Sequence, residues 1–406
     1  MSGTSPDEAG ILRRGLRRAR TALSVAAAAV ALTACANTFD QLGGGTPVQT
    51  PTEQPPATMI GAGQVRVGLI LPLSAPGNAG IAATSMKNAA EMALAEFKEP
   101  NIQLLVKDDG GTPQGAQLGA QQAIDEGAQI IIGPLFAQSV SAVGAVARTR
   151  NVPVIAFSTD ASVAARGVYL LSFLPESDVK RIVDVAVSRG KRSFAALLPD
   201  NAYGAVVEAA FQQEVARRGG RVVALEKYPL DPGRMAEPIR RVAQAAGRVD
   251  SIFIPDGPDA VPQVVAGLAS AGVNPKRVQL LGTGLWEDAR IAATPALDGG
   301  WYAAPESTGF RNFSGRYRAR YAADPVRTAT LAYDAVALVA ALVKQQPAPQ
   351  RFSEQTLTTP SGFAGIDGIF RFRTDGTNER GLAVMRVTPT GGQVLSPAPR
   401  SFNPGT

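Results

Sequence analysis

Short apolar runs alternate with helical patterns along most of the chain. The first apolar run, Val65–Leu71, is followed by Met86, Ala89 and Ala93, which recur at helical spacing. Apolar strands of this length, each followed by one helix, are typical of a parallel sheet that is covered on both faces. The pattern therefore predicts an α/β fold built on doubly wound sheets.

The alternation occurs twice in succession, with no low-complexity segment between the two sets. In the first set we expect strands at 65–71, 102–106, 129–132 and 152–157, with helices from Ser85, over 114–126 and from Ser139. In the second set we expect strands at 194–198, 221–225, 251–254 and 278–281, with helices over 204–218, 235–246 and 260–271. Two complete sets predict two Rossmann-like lobes rather than two independent domains.

The C-terminal part of the chain departs from this alternation. An apolar helix is predicted over 327–344, and Trp301 is expected on a strand near the boundary of the lobes. Two further strands, 368–372 and 382–387, flank an Asp375-Gly376 pair that favours a tight turn. We therefore expect these two strands to form a β-hairpin with each other.

Residues 1–34 have the pattern of a secretory signal peptide. A basic segment with five arginines precedes the apolar run Thr21–Ala34, whose roughly 14 residues are too few to span a bilayer as a mature helix. The run ends in Leu-Thr-Ala followed by Cys35, the only cysteine of the chain. This ending resembles the bacterial lipobox, in which the cysteine is lipidated and becomes the new N-terminus.

Acylation of Cys35 would anchor the protein, since each buried methylene contributes about 0.8 kcal/mol. The anchor is followed by a segment, 35–63, that is rich in Pro and Gly and has no apolar periodicity. Such a segment cannot offset its ordering entropy, so we predict a disordered tether. By resemblance to enterobacterial sorting, Ala36 after the cysteine permits transfer to the outer membrane of a Gram-negative cell, with the inner membrane as the alternative.

Composition excludes several classes of function. Of the 406 residues, 45% are apolar and none is histidine, which removes Ser-His-Asp triads and every histidine metal site. With a single cysteine, no disulfide or thiolate cluster can form within the chain. Half of the net charge of +6 lies in residues 1–34, so no basic stripe for nucleic acid remains. We predict a binding protein without catalytic residues, metal or cofactor.

Several motifs occur in an order that resembles a known family. They are Val67–Ser74, Asp108-Asp109, Gly133-Pro134-Leu135, Val152–Ala156, Asp200–Gly204 and Gly365–Gly376. Together they resemble the type I periplasmic binding proteins of the leucine/isoleucine/valine-binding family, over residues 64–395. The resemblance implies two lobes joined by a hinge that the chain crosses three times. Lobe 1 would hold about 64–172 and 309–352, lobe 2 about 173–308 and 353–395, and 396–406 would be a flexible tail.

In this family the ligand lies between the lobes, at the carboxyl ends of the strands. The positions implied as ligand contacts are Ser74, Gln138, Ser139, Ser158, Thr159, Asp160, Tyr203, Asp256 and Trp286. Trp286, on a strand-exit loop, is expected to be exposed there. Two positions depart from the family, because Ala137 stands near the expected serine and Gly284 near the acid that pairs with the ligand's ammonium. Asp160 and Asp256 are the candidates to replace that acid.

Two functions are compatible with the resemblance. One is a periplasmic receptor that binds a small polar solute, such as an amino acid, and delivers it to an ABC-type permease. The alternative is an outer-membrane lipoprotein that activates a penicillin-binding protein and so regulates peptidoglycan synthesis. The lipobox, the long tether and the departures at Ala137 and Gly284 fit this alternative, in which a peptidoglycan synthase is the partner.

Ser177 and Lys180 have the Ser-x-x-Lys spacing of penicillin-recognising serine enzymes. The chain has no Ser-Asp-Asn or Lys-Thr-Gly sequence to complete such a site. Ser177 also stands directly before Asp178, where a helix that begins there would need a capping side chain. We therefore interpret Ser177 as a helix cap.

Overall fold

The computed structural model describes residues 58–402, which form an α/β fold with two separate, mainly parallel sheets. The predicted signal peptide, Cys35 and most of the predicted tether lie outside the described residues. Within residues 58–402, no helix is both long and apolar enough to cross a bilayer. The same range contains no group of three or more His, Cys, Asp or Glu side chains arranged to hold a metal ion.

The first sheet contains β1 (Thr58–Ile60), β2 (Val65–Leu71), β3 (Ile102–Asp108), β4 (Ile130–Ile132), β5 (Val154–Ala156) and β6 (Val168–Leu170). Their order is β1–β3–β2–β4–β5–β6, and only β1 runs antiparallel to its neighbour. Successive strands are connected by α1 (Asn78–Glu96), α2 (Pro113–Asp125) and α3 (Ala137–Thr149). Helices on both faces bury these strands almost completely, which explains their continuous apolar sequence.

The chain joins the first sheet earlier than the sequence predicts. The predicted tether extends to residue 63, but Thr58–Ile60 pair with β3 as an edge strand. Gly61 then turns the chain with φ +89°, and a Cβ there would lie 2.8 Å from the carbonyl oxygen of Ile102. Three residues are too few to show the alternation by which a strand is recognised.

The second sheet contains β7 (Ser193–Pro199), β8 (Arg221–Tyr228), β9 (Ser251–Phe253), β10 (Gln279–Gly282) and β11 (Trp301–Ala304), joined later by β15 (Ala383–Thr388) and β16 (Gly391–Ser396). Their order is β16–β15–β11–β10–β9–β7–β8, with β15 and β16 antiparallel. The helices of this lobe are α4 (Pro175–Ser188), α5 (Ala202–Arg217), α6 (Pro232–Ala245), α7 (Val261–Ser270) and α8 (Ala289–Ala292).

A third, small sheet and three helices lie between β11 and β15 in the chain. They are α9 (Ser307–Tyr321), α10 (Ala329–Gln345), α11 (Glu354–Leu357), β12 (Phe363–Gly365), β13 (Gly368–Phe372) and β14 (Asn378–Arg380). Leu357, Phe370 and Phe372 belong to the buried core of the first sheet. The expected second-lobe segment 353–395 therefore packs with the first lobe over its first part and joins the second sheet only from β15.

The predicted hairpin has the expected turn but a different partner strand. Arg373 N donates to Thr377 O, and Gly376 has φ +88°. β13 then pairs with β14, whereas 382–387 lies mainly in β15 and pairs with β11 and β16. The prediction of pairing was wrong because β14 consists of Asn-Glu-Arg and has no apolar alternation.

The chain passes between the two lobes three times, after β6, after β11 and after β14. This confirms the predicted α/β class with two doubly wound lobes and a three-crossing hinge. Residues 396–402, predicted to be part of a flexible tail, instead make contacts. Arg181 Nη2 donates to Ser396 Oγ and Pro397 O, and the ring of Phe402 lies 4.6 Å from the guanidinium carbon of Arg371.

Candidate functional site

Most of the predicted site residues lie at the carboxyl ends of parallel strands. In the first sheet β2, β4 and β5 are neighbours, and Ser74, Gln138 and Ser158 lie in the segments that follow them. In the second sheet β7 and β9 are neighbours, followed by Tyr203 and Asp256. α/β proteins bind ligands at the carboxyl ends of their parallel strands. Here each lobe places polar side chains at that end of its own sheet.

The first-lobe candidates differ in their accessibility. Ser74 and Gln138 are exposed, and the amide of Ser74 donates to Asp108 Oδ1 over 3.1 Å. Ser139 is 0% exposed in the first turn of α3, and its Oγ has no hydrogen-bond partner in the structure. Its hydroxyl is therefore not accessible to a ligand in this conformation.

The loop after β5 presents two further candidates. Ser158 is buried, and its Oγ accepts a hydrogen bond of 3.1 Å from Asp160 N. Asp160 Oδ1 accepts from Ser162 N over 2.9 Å, which fixes the following turn. Thr159 and Asp160 are exposed. The loop thus offers the Thr159 hydroxyl and the Asp160 carboxylate, while Ser158 holds its shape.

Trp286 is buried in the core of the second lobe, so its predicted exposure is wrong. Only 1% of the residue is accessible, and its Nε1 donates to Ile254 O over 3.1 Å. A Cβ at Gly282 would lie 2.2 Å from the indole ring, and one at Gly300 would lie 2.9 Å from it. Both glycines leave the space that the ring fills, and the sequence of the loop does not show this.

The second glycine of Gly282-Thr283-Gly284 also leaves room for a side chain. Asp178, in the first turn of α4, accepts a hydrogen bond of 2.8 Å from Gly284 N through Oδ2. A Cβ at Gly284 would lie 3.2 Å from the same oxygen. Burial raises the pKa of Asp178 to about 7, although the Gly284 bond and the charge of Arg380 act in the opposite direction. A carboxylate therefore occupies the place where the expected acid is missing.

Two hydroxyl groups lie near this carboxylate. The hydroxyl of Tyr203 lies 3.2 Å from Thr283 Oγ1. Burial raises the pKa of Tyr203 well above its usual value, and the charge of Asp178 is among the contributions. Asp256, one of the two sequence-based candidates for the missing acid, instead accepts from Tyr228 OH over 2.7 Å and from Gly257 N. Asp178 is thus the acid that the structure brings to Gly284.

The sequence matches the family profile described as "Periplasmic binding protein" over residues 64–393. The chain belongs to the periplasmic binding protein family. Membership of this family implies a periplasmic location.

Relatives of this periplasmic binding protein include the Leu/Ile/Val-binding protein homolog 6 of Brucella melitensis biotype 1. The two are 24% identical over 222 residues, 52% of this chain and 56% of the relative. The chain thus spans about half the length of the curated relative that it matches.

Solved structures share the fold over most of the chain. A branched-chain amino acid ABC transporter periplasmic ligand-binding protein from Burkholderia xenovorans LB400 has a TM-score of 0.67 at 19% identity, covering 84% of this chain and 97% of that one. An ABC transporter substrate-binding protein from Desulfitobacterium hafniense, in complex with Leu, has a TM-score of 0.61 at 17% identity, covering 82% and 99%. These similarities establish the type I periplasmic binding protein fold.

In this periplasmic binding protein Asp160 and Glu176 lie on either side of the first crossing in the chain. Burial raises the pKa of Glu176, in the first turn of α4, and the charge of Asp160 raises it further. Glu176 Oε2 is buried and has no hydrogen-bond partner in the structure. Acidic groups from both lobes therefore flank the first crossing, and Asp178 lies on the same helix as Glu176.

The Ser-x-x-Lys spacing has a structural explanation other than the predicted cap. α4 begins at Pro175 with Leu174 as the capping residue, so Ser177 lies inside the first turn. Proline is favoured at the first position of a helix, which places the start three residues earlier than expected. Lys180 Nζ donates to Glu379 Oε1 over 2.6 Å. The lysine is therefore engaged in an ion pair with β14.

Proposed function

We propose that this protein is a receptor that binds a small solute with a protonated amine, such as an amino acid, between its two lobes. Delivery to an ABC-type permease is part of the proposal. The observation that supports it most is the carboxylate of Asp178, held against Gly284 N at the carboxyl end of the second sheet. The family places an acid for the ligand's ammonium near position 284, where this chain has glycine. Asp178 supplies a carboxylate there from the first turn of α4.

The chemistry of Asp178 favours an ammonium ligand. Its hydrogen-bond donor among the described residues is an uncharged backbone amide. The charge of Arg380 offsets the cost of burying this carboxylate only in part, and a bound ammonium would compensate for the rest. Tyr203, whose hydroxyl lies 3.2 Å from the buried Thr283 Oγ1, offers a hydroxyl group beside it, and the first lobe adds the exposed hydroxyl of Thr159.

The proposal includes a lipid anchor on Cys35, which lies outside the described residues. Acylation would hold the receptor at a membrane surface within reach of its permease. The relatives named above are binding proteins, which supports the receptor over the alternative of an activator of a peptidoglycan synthase. Cell fractionation shows whether the anchor attaches to the outer or the inner membrane.

The test is a double variant that removes one hydroxyl from each lobe. Thr159→Val with Tyr203→Phe should weaken binding of an amino acid ligand at least about tenfold by titration calorimetry, since each lost hydrogen bond contributes about 1 kcal/mol. The matched control is Thr390→Val with Tyr333→Phe, which makes the same chemical changes away from the facing strand ends. Equal affinities in the two double variants would contradict binding between the lobes.

A further inference from the structure

Aromatic rings and guanidinium groups alternate in a stack where the chain crosses between the lobes. Its members, in spatial order, are Phe310, Arg327, Phe173, Arg380 and Phe370. The Cζ of Arg327 lies 4.6 Å from the ring centres of both Phe310 and Phe173. The Cζ of Arg380 lies 4.6 Å from Phe173 and 5.7 Å from Phe370. All four spacings are within the roughly 6 Å over which a cation is attracted to a ring face.

Each of the three crossings contributes a member to this hinge stack. Phe173 lies in the first crossing, between β6 and α4. Phe310 is in the first turn of α9, directly after the second crossing, and Arg380 is the last residue of β14, before the third. Arg327 and Phe370 belong to the first lobe and lie in the chain between the second and third crossings. The hinge stack therefore joins all three crossings at one point.

Both guanidinium groups of the hinge stack donate hydrogen bonds, although Nη1 and Nη2 of Arg380 are buried without a partner among the described residues. Arg327 donates through Nη1 and Nη2 to Asp367 over 3.0 and 2.6 Å, and the side chain of Asp367 is fully buried. Arg380 Nε donates to Ser172 O over 2.8 Å, and Asn378 Nδ2 donates to the same oxygen over 2.8 Å. The first and third crossings are thus bonded to each other directly beside Phe173.

The ring of Phe173 separates two cations of like charge. Burial lowers the pKa of Arg380, which is 6% exposed, while the carboxylates of Asp367, Asp334 and Asp178 act in the opposite direction. Arg327 is only half-buried, and across the ring its like charge lowers the pKa of Arg380 further. Asp178 is the second-lobe residue in this set, so the charge of a candidate-site residue acts on Arg380 of the hinge stack.

We propose that the hinge stack is the fixed pivot of the interlobe hinge. It binds the three crossings to the first lobe as one unit, so that rotation of the second lobe takes place beyond it, in residues 174–175, 305–306 and 381–382. The planar ring of Phe173 and the planar group of Arg327 are the essential parts, because they transmit contact from one crossing to the next. This role is independent of which ligand the protein binds.

The test measures interlobe distance in the full chain without ligand. Spin labels are attached at Arg148→Cys on the first lobe and Lys276→Cys on the second, both exposed positions, with Cys35→Ala in every sample. Phe173→Leu should broaden the distance distribution at least about twofold, because freed crossings populate more interlobe angles. Phe173→Tyr, which keeps the ring, should retain the parent width.

The control for the aromatic change is Phe363→Leu. Phe363 packs on the same first-lobe core, 5.7 Å from the ring of Phe370, and contacts no guanidinium of the hinge stack. It should leave the width at the parent value. A parent-like width for Phe173→Leu, or equal broadening by both leucine variants, overturns the proposal.

A second pair of variants applies if Phe173→Leu does not fold. Arg327→Lys keeps a charge for Asp367 but removes the planar group, and it should broaden the distribution. Arg316→Lys makes the same change in a first-lobe guanidinium that lies 5.5 Å from the Tyr333 ring and pairs with Glu96, outside the hinge. Equal widths in these two lysine variants overturn the proposal.

Discussion

The carboxylate of Asp178 occupies the space that Gly284 leaves free. The two residues are 106 positions apart in the chain, yet Asp178 Oδ2 accepts a hydrogen bond of 2.8 Å from Gly284 N. Any side chain at position 284 would begin 3.2 Å from that oxygen. The glycine that weakens the resemblance to an amino-acid receptor is therefore also the residue that makes room for a replacement acid.

Replacing Asp178 should discriminate between ligands with and without an amino group. Asp178→Asn should weaken binding of an amino acid roughly tenfold to a hundredfold, since a hydrogen bond to a charged group contributes about 1.5–3 kcal/mol. It should leave binding of the corresponding deaminated acid unchanged or slightly stronger. Calorimetric titration with both ligands measures the two effects.

The control for this prediction is Asp298→Asn. Asp298 is exposed and precedes β11, at the opposite end of the second sheet from Gly284. It should bind both ligands like the parent. An equal loss for both ligands in Asp178→Asn would assign a structural role to Asp178 and contradict its contact with an amine.

The affinity for an amino ligand should increase with pH up to about 7 and then level off. The pKa of Asp178 is raised by burial to about 7, so below that pH the folded protein without ligand carries a neutral carboxyl group. A protonated amine binds the ionised form, so binding should release a proton near pH 6. Calorimetry in two buffers of different ionisation enthalpy measures this release, and Asp178→Asn should abolish it. An affinity independent of pH between 5.5 and 8 would contradict the assignment.

Gly282 should be intolerant of a methyl group because of Trp286. A Cβ at Gly282 would lie 2.2 Å from the indole, so Gly282→Ala should destabilise the protein by about 1–3 kcal/mol, as other overpacked cores do. Gly315 lies in the middle of α9 with open space around its Cα, so Gly315→Ala should stabilise by about 0.4–1 kcal/mol. Urea unfolding of the two variants measures both, and a Gly282→Ala variant as stable as the parent would contradict the packing argument.

Acylation of Cys35 should attach the protein to a membrane. The parent should sediment with membranes and incorporate labelled palmitate, because acyl chains contribute about 0.8 kcal/mol per buried methylene. Cys35→Ser should neither sediment with membranes nor incorporate labelled palmitate. Equal membrane association of the two proteins would refute the lipid anchor. Separation of the inner and outer membranes in the same experiment shows which of them carries the receptor.

The sequence predicts the strands and helices of the fold where burial determines their pattern. β2 has the predicted bounds because both of its faces are covered, whereas α1 begins seven residues before the predicted Ser85. Its first turns, Asn-Ala-Gly-Ile-Ala-Ala-Thr, contain little apolar bulk to reveal the helical period. β14 was not predicted for a related reason, since its three residues are all polar.

The candidate site was less predictable, because it depends on contacts between distant segments. The sequence shows that Trp286 follows Gly282, but not that the indole turns back over that glycine. It shows an acid at position 178 in the first turn of a helix, but not that this turn lies against Gly284. Such contacts follow from how the strands are ordered in the sheet, which local sequence patterns do not determine.

A thermal-shift panel with the purified protein tests the central claim most directly. The panel contains amino acids, their deaminated analogues, small amides and peptidoglycan fragments. A ligand at about 100 times its dissociation constant stabilises the native state by about 2.7 kcal/mol. The account predicts such a shift with one or more amino acids and a smaller shift with their deaminated analogues. No shift with any compound, or a shift with peptidoglycan fragments alone, would contradict a receptor for amino solutes and favour the cell-wall alternative.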